Sequence, residues 1–180
     1  MNRSVLATIA VVVACFVTSC SQANHSQTAN SHASNSQAND AAEINASVQH
    51  LVAAVNAKDI NGIMAYYTPD ESLVVFDAVP PRQYLGATAF RKDWENFLAA
   101  YPKDIHAEVT DWKVESEGNL AYGHGFFRTV GPGKDGKPLD LTVRVTDVYK
   151  KVDGKWLVAH EHVSFPVDLD SGKPDLNSKS

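Results

Sequence analysis

The sequence predicts an α+β domain in which three N-terminal helices wrap a cone-shaped, curved antiparallel sheet. Three observations predict it. Apolar residues recur at helical spacing up to Tyr101, they alternate at strand spacing from Ile105 to Ser164, and Asp153-Gly154 supplies a hairpin turn between two alternating runs. Helices first and long strands last is the order of a segregated α+β fold, not of repeated βαβ units.

Each element follows from its residues. Ile44, Val48, Leu51, Val52 and Val55 make one apolar helical face behind a capping box at Asp40 and Glu43. Lys58-Asp59 breaks that helix. A short second helix turns Ile60, Ile63, Met64 and Tyr67 inward and ends at Thr68-Pro69. Ser72 to Asp77 is rich in strand formers, Pro80-Pro81 interrupts it, and Gln83 to Leu85 resumes as a second short strand. The third helix starts near Thr88, carries Phe90, Trp94, Phe97, Leu98 and Tyr101 on one face, and closes at Pro102. Ile105, Ala107 and Val109 then alternate, whereas Trp112 and Val114 alternate on the opposite parity. That slip predicts a β-bulge near Thr110-Asp111. Glu117-Gly118-Asn119 turns the chain into a strand from Leu120 to Val130. After a glycine- and proline-rich turn, Leu139 to Lys151 and Lys155 to Ser164 complete the sheet.

The first 40 residues read differently. Arg3 followed by an apolar run from Val5 to Val17 has the pattern of a signal peptide over residues 1–19. Val17-Thr18-Ser19-Cys20 resembles a bacterial lipobox, which makes Cys20 the acylated first residue of an exported, membrane-anchored protein. An uncleaved anchor is the weaker alternative, because the run is about 13 residues long and a spanning helix needs about 20. An ordinary cleaved signal with an incidental cysteine is the other. Ser21 stands where aspartate would resemble an inner-membrane retention signal, so in a Gram-negative cell the expectation is the outer membrane, facing the periplasm. Residues 20–40 contain almost no apolar side chains, repeat the fragment SQAN, and are expected to form a disordered tether in which His25 and His32 are solvated. The folded domain is then 41–170, followed by a flexible tail over 171–180.

Composition excludes several functions. The cysteines are Cys15 and Cys20; with cleavage before Cys20, the domain has no thiol for disulfides, redox motifs, cysteine zinc clusters or nucleophilic catalysis. The net charge is −5 and no basic run exceeds Lys150-Lys151, which argues against nucleic acid. No glycine-rich phosphate loop and no G-x-S-x-G motif occurs. No cofactor is expected.

Three stretches carry a family resemblance. LVAAVNAKDINGIMAYYTPDESLVVFD, YLGATAFRKDWENF and VRVTDVYKKVDGKWLVAHEHVSFPVD resemble the opening helices, the glycine-led third helix and the closing hairpin of the SnoaL-like, ketosteroid-isomerase-like group within the nuclear-transport-factor-2-like superfamily. The resemblance covers residues 41–170. It implies the cone fold, a homodimer through the outer sheet face, and a small-molecule ligand. It does not select a reaction, because the fold hosts isomerases, dehydratases, cyclases and non-catalytic binding modules.

Candidate site residues come from the resemblance and from strand parity. Asp77 is similar in position to the aspartate base of ketosteroid isomerases, and Asp147 to their oxyanion-binding aspartic acid; the matching tyrosine position is Leu51, which makes steroid isomerisation itself a poor fit. The alternatives are a turn-forming Asp77 and an Asp147 paired with Arg144 or a lysine. By alternation, Trp156, Val158, His160, His162 and Ser164 share one strand face, opposite Leu157, Ala159, Glu161, Val163 and Phe165. Polar groups on that face are costly without partners, which a lined cavity supplies; a polar outer face or a dimer contact is the alternative. Tyr84, Arg144, Trp94 and His124 are further ligand-binding candidates. Arg144 suits a carboxylate or phosphate, and His124 lies between glycines that let a ligand approach the backbone. His160-x-His162 also has metal-ligand spacing, but a lone pair is weak and no metal is expected.

Two functional classes remain. One is an acid–base enzyme of isomerase, dehydratase or cyclase type, in which Asp77 or a histidine abstracts a proton while Asp147, Arg144 or the His160/His162 pair stabilises charge. The other is a ligand-binding or dimeric interaction module of the cell envelope, with a mostly apolar cavity and histidines tied to structural partners.

Overall fold

The first helix does not begin at the expected capping box. In the computed structural model, which describes residues 23–101, 105–133 and 137–177, α1 runs Ala23–Ala57 and Asp40 lies in its interior. The tether expected over 20–40 is therefore helical from Ala23 on. Contacts to the sheet hold the part from residue 35 onward: Gln37 donates to the Ser116 carbonyl, and the Asp40 carboxylate accepts from Lys151 Nζ at 2.8 Å and Trp156 Nε1 at 3.1 Å. The side chain that looked like a cap is an anchor, and its bond with Lys151 holds its pKa below the usual carboxylate range. The expected signal peptide, residues 1–19, and the expected acylation site Cys20 lie outside the described residues.

Asn35–Ser180 is one compact unit, and the rest of this description concerns it. Ile44, Val48, Leu51 and Val55 are buried as their spacing requires, each full burial contributing about 1.5–3 kcal/mol. Lys58 takes a left-handed backbone and ends α1; Asp59 then caps α2 (Ile60–Met64) by accepting from the Asn61 N–H at 3.0 Å. β1 (Val74–Phe76), β2 (Tyr84–Leu85) and α3 (Ala87–Ala100) follow. The long strands are β3 (His106–Glu117), β4 (Leu120–Pro132), β5 (Pro138–Val152) and β6 (Lys155–Ser164). Asp153 and Gly154 both have positive φ, as the expected two-residue hairpin demands.

The six strands form one curved sheet in the order β2-β1-β6-β5-β4-β3. It is antiparallel except that β1 runs parallel to β6, pairing Val75 with Glu161. The expected slip in β3 is present as a register shift between Thr110 and Lys113, with Asp111 at φ 54. A second irregularity was not expected. Val148 pairs with His160 but Tyr149 pairs with Val158, so Ala159 is an extra residue in β6.

The C-terminal segment also meets the sheet. Residues up to 177 are described, and the Thr142 N–H donates to the Leu176 carbonyl at 2.8 Å. β6 ends opposite Arg144, so this segment takes up a β5 edge that β6 leaves free.

Candidate functional site

Strand parity decides what the sheet presents to the helices. On β5, Leu141, Val143, Val145 and Asp147 point inward; on β6, after the bulge, Glu161 and Val163 do, followed by Phe165. With Val48, Leu51, Phe90, Trp94, Phe97 and Trp112 they surround a cavity of about 360 Å³. That is at the lower end of the size of small-molecule sites. Most of the wall is apolar or aromatic.

Trp112 enters the wall because β4 makes room for it. A Cβ on Gly123 would lie 2.6 Å from Trp112 Cζ2, and one on Gly125 would lie 2.9 Å from Trp112 Cε3. The backbone approach expected beside His124 is real, but what approaches is the indole. His124 itself points outward, 6.3 Å from Tyr122 in a stacked arrangement.

Four carboxyl groups line the cavity: Asp77, Asp93, Asp147 and Glu161. No lysine, arginine or histidine is among the described lining residues. Asp147 and Glu161 are direct partners across the β5–β6 ladder and are 1 % and 6 % exposed. Tyr66 donates to Asp147 Oδ2 at 2.8 Å, Tyr149 donates to the same oxygen at 3.1 Å, and Tyr66 and Tyr149 are hydrogen-bonded to each other. Tyr67 donates to Glu161 Oε2 at 2.9 Å. Burial raises the Asp147 pKa to about 7 against the lowering effect of its tyrosine donors. Burial and then the Asp147 charge push Glu161 well above the usual carboxylate range. Two such groups side by side hold a proton between them near neutral pH. The same burial raises Tyr66, Tyr67 and Tyr149, so all three stay protonated as donors.

Asp77 lies on the wall beyond β1, with its Oδ1 accepting from the Ala78 N–H at 2.6 Å. Burial raises its pKa to about 6, the Ala78 bond opposes the rise, and the neighbouring Asp93 charge adds to it. Tyr84 donates to Asp93 Oδ1 at 2.5 Å and thereby positions that carboxylate.

The structure thus brings together Asp77, Asp147 and Trp94, with Tyr84 acting through Asp93. It does not bring in His160, His162, Ser164, His124 or Arg144. The Ala159 bulge flips β6: Trp156 and Val158 are buried, but beyond it Glu161, Val163 and Phe165 take the inner face and the histidines the outer one. His160 Nδ1 bonds the Val74 carbonyl at 2.8 Å, and both imidazoles pack edge-on against Phe76. Arg144 donates to the Phe165 carbonyl at 3.1 Å and pairs with no part of Asp147. Sequence reasoning missed Glu161 and Asp93 as site residues. It also missed the hydroxyls of Tyr66 and Tyr149, although Tyr149 shares the parity of Asp147 and could have been read from it. Among the described residues no cluster of three metal-ligating side chains exists.

A cavity between helices and a curved sheet, floored by paired acids, defines a small-molecule pocket of the nuclear-transport-factor-2-like class. Residues 44–168 match the SnoaL-like domain model, and the chain belongs to that family. It is 32 % identical to a nuclear-transport-factor-2-like protein of unknown function from Pseudomonas putida KT2440, covering 77 % of this chain and 95 % of that one with a TM-score of 0.69. A protein from Xanthomonas campestris, provisionally named a calcium/calmodulin-dependent protein kinase II association domain, is 26 % identical over 68 % of this chain and 84 % of that one, with a TM-score of 0.58. A Streptomyces avermitilis protein provisionally named a dehydratase of the same family shares the fold at 15 % identity, over 68 % and 93 % of the two chains, with a TM-score of 0.59. No curated protein matches the chain.

Proposed function

We propose that this chain is an exported lipoprotein, anchored through Cys20, whose cavity binds a small, partly apolar molecule and moves protons on it. The observation that carries this reading is the Asp147–Glu161 pair on the cavity floor, with Asp77 in the same cavity. Asp77, poised near pH 6, is the base. The proton held by Asp147 and Glu161, oriented by Tyr66 and Tyr67, goes to an oxygen that gains charge in the transition state. Leu51 removes the tyrosine of the isomerase pattern, and Tyr66 offers a hydroxyl from a different element. The histidines take no part. The outer sheet face, with Phe76, His160 and His162, is the proposed contact of a homodimer.

Binding without turnover is the second reading. It is favoured by the apolar walls and by the tie between His160 and the Val74 carbonyl. A thermal-shift screen of small carbonyl compounds and amines, followed by product analysis of every stabilising compound, separates the two. A stabiliser that is converted, with conversion lost in Asp77→Asn, supports catalysis. Stabilisers that all remain unchanged support binding alone.

A further inference from the structure

We infer that the molecule held in this cavity carries a positively charged nitrogen on an apolar body, with the Asp93 carboxylate as its counter-ion. This rests on the small-molecule reading above and names its ligand class. The cavity holds the carboxyls of Asp77, Asp93, Asp147 and Glu161 and, among the described lining residues, no cationic side chain. None of the four is in an ion pair with a described residue. The described residues therefore offer the carboxylates of this set no cation. Asp147, fully buried and lining the cavity, also has an Oδ1 that accepts no hydrogen bond. No described residue other than the protonated partner Glu161 is placed to donate to it, which leaves the cavity side of the pair open to a ligand's donor.

Asp93 has no role in the proton transfer proposed above, and its carboxylate is held in place. Tyr84 fixes its Oδ1 from outside the lining. Around it the cavity is aromatic: Trp94 and Phe97 follow on the same helix with ring centroids 5.7 Å apart, and Phe90 lies 6.2 Å from Trp94. Aromatic faces attract cations, and hydrocarbon walls strengthen any charge pair formed between them. An anionic ligand would meet four acids, and a neutral one would leave Asp93 and Asp77 facing each other uncompensated. An ammonium relieves that repulsion, and it sets the carbon bearing the nitrogen beside Asp77, the proposed base.

The test is titration calorimetry of the full chain in detergent with three probes that share a phenyl body: 2-phenylethylamine, 2-phenylethanol and phenylacetate. The amine is expected to bind about tenfold or more tightly than the alcohol, with phenylacetate weakest. Asp93→Asn is expected to reduce the amine to the level of the alcohol. Should that variant not fold, Asp93→Ser takes its place, with the same expected loss of the amine preference. Equal affinity for amine and alcohol, tighter phenylacetate, or an undiminished preference in the Asp93 variant overturns the cation assignment, while binding of the alcohol keeps the cavity reading. Failure of all three probes to bind overturns both.

Discussion

Asp147 and Glu161 face each other across the β5–β6 ladder, buried in a cavity whose described lining offers them no cation. Tyrosine hydroxyls are their protein donors, through Tyr66, Tyr149 and Tyr67. Three neutral donors do not offset the desolvation of two carboxylates, so the pair keeps a proton that ordinary surface acids would have lost.

That proton makes stability depend on pH in the direction opposite to a salt-bridged acid. The folded pKa of Asp147 is raised to about 7 from the ordinary carboxylate value of 3.8, so the native state binds more protons than the unfolded one between those values. Stability contributed by the neutral form is complete at the acid end and is lost as pH rises through about 7. The thermal midpoint should therefore fall between about pH 5 and about pH 8, by an amount on the order of a few kcal/mol in stability. Asp147→Asn, which cannot ionise, should flatten that fall. An unchanged slope in the variant removes Asp147 as its source.

Tyr66→Phe deletes one donor to Asp147 and one partner of Tyr149. The expected cost is about 1–3 kcal/mol in chemical denaturation, because the acceptor stays buried. The Asp147 carboxyl should also titrate at higher pH, since a donor that lowers its pKa is gone. A variant that loses stability without moving the pH profile would mean that Tyr66 acts by packing alone.

Much of this was legible in the sequence, and the misplaced residues of β6 share one cause. The helical faces at Ile44 to Val55 and Phe90 to Tyr101, the β3 bulge and the Asp153-Gly154 turn all leave marks in side-chain periodicity. The β6 bulge leaves none. Ala159 fits either face, so Trp156, Val158, His160 and His162 read as one unbroken alternation although the chain changes face among them. Everything placed by that parity moved: the histidines and Ser164 went outside and Glu161 came in. Asp77 and Asp147 were placed by family pattern instead, and both line the cavity.

His160→Ala and His162→Ala supply the corresponding check. Neither side chain lines the cavity, so each variant should bind any cavity ligand within about twofold of the parent by calorimetry, a difference below about 0.5 kcal/mol. His160→Ala should lose about 0.5–1.5 kcal/mol of stability with its bond to the Val74 carbonyl. A tenfold or greater loss of affinity, about 1.4 kcal/mol, would return the histidines to the site.

Gly123→Ala tests how the cavity wall is built. Its Cβ would sit 2.6 Å from Trp112 Cζ2, nearer than contact allows, and the ring lies over Gly125 as well. The indole must therefore move off β4, and the cavity lies on that side of it. Overpacking of this kind costs about 1–3 kcal/mol. Ligand affinity should fall together with stability, and indole fluorescence should shift as the ring changes its surroundings. Loss of stability with full ligand affinity would show that Trp112 yields in another direction.

Asp77→Asn bears most directly on chemistry. The side chain keeps its size and its Oδ1 can still accept from the Ala78 N–H, so the fold should hold. The charge that burial and Asp93 make costly is removed, and stability near neutral pH should rise slightly if it changes at all. Activity should behave in the opposite way. With Asp77 as base, the rate of the parent climbs as pH passes about 6 and the carboxylate forms. In Asp77→Asn the rate should drop by about 10²–10⁴ and that climb should vanish, while the KM stays near the parent value because the residue's work is in the transition state. Asp93→Asn should move the climb to lower pH, since one of the causes raising Asp77 is gone. A substrate turned over equally well by Asp77→Asn would leave Asp93 and the Asp147–Glu161 pair as the carboxyl groups on the described cavity wall, and the base would have to be sought among them.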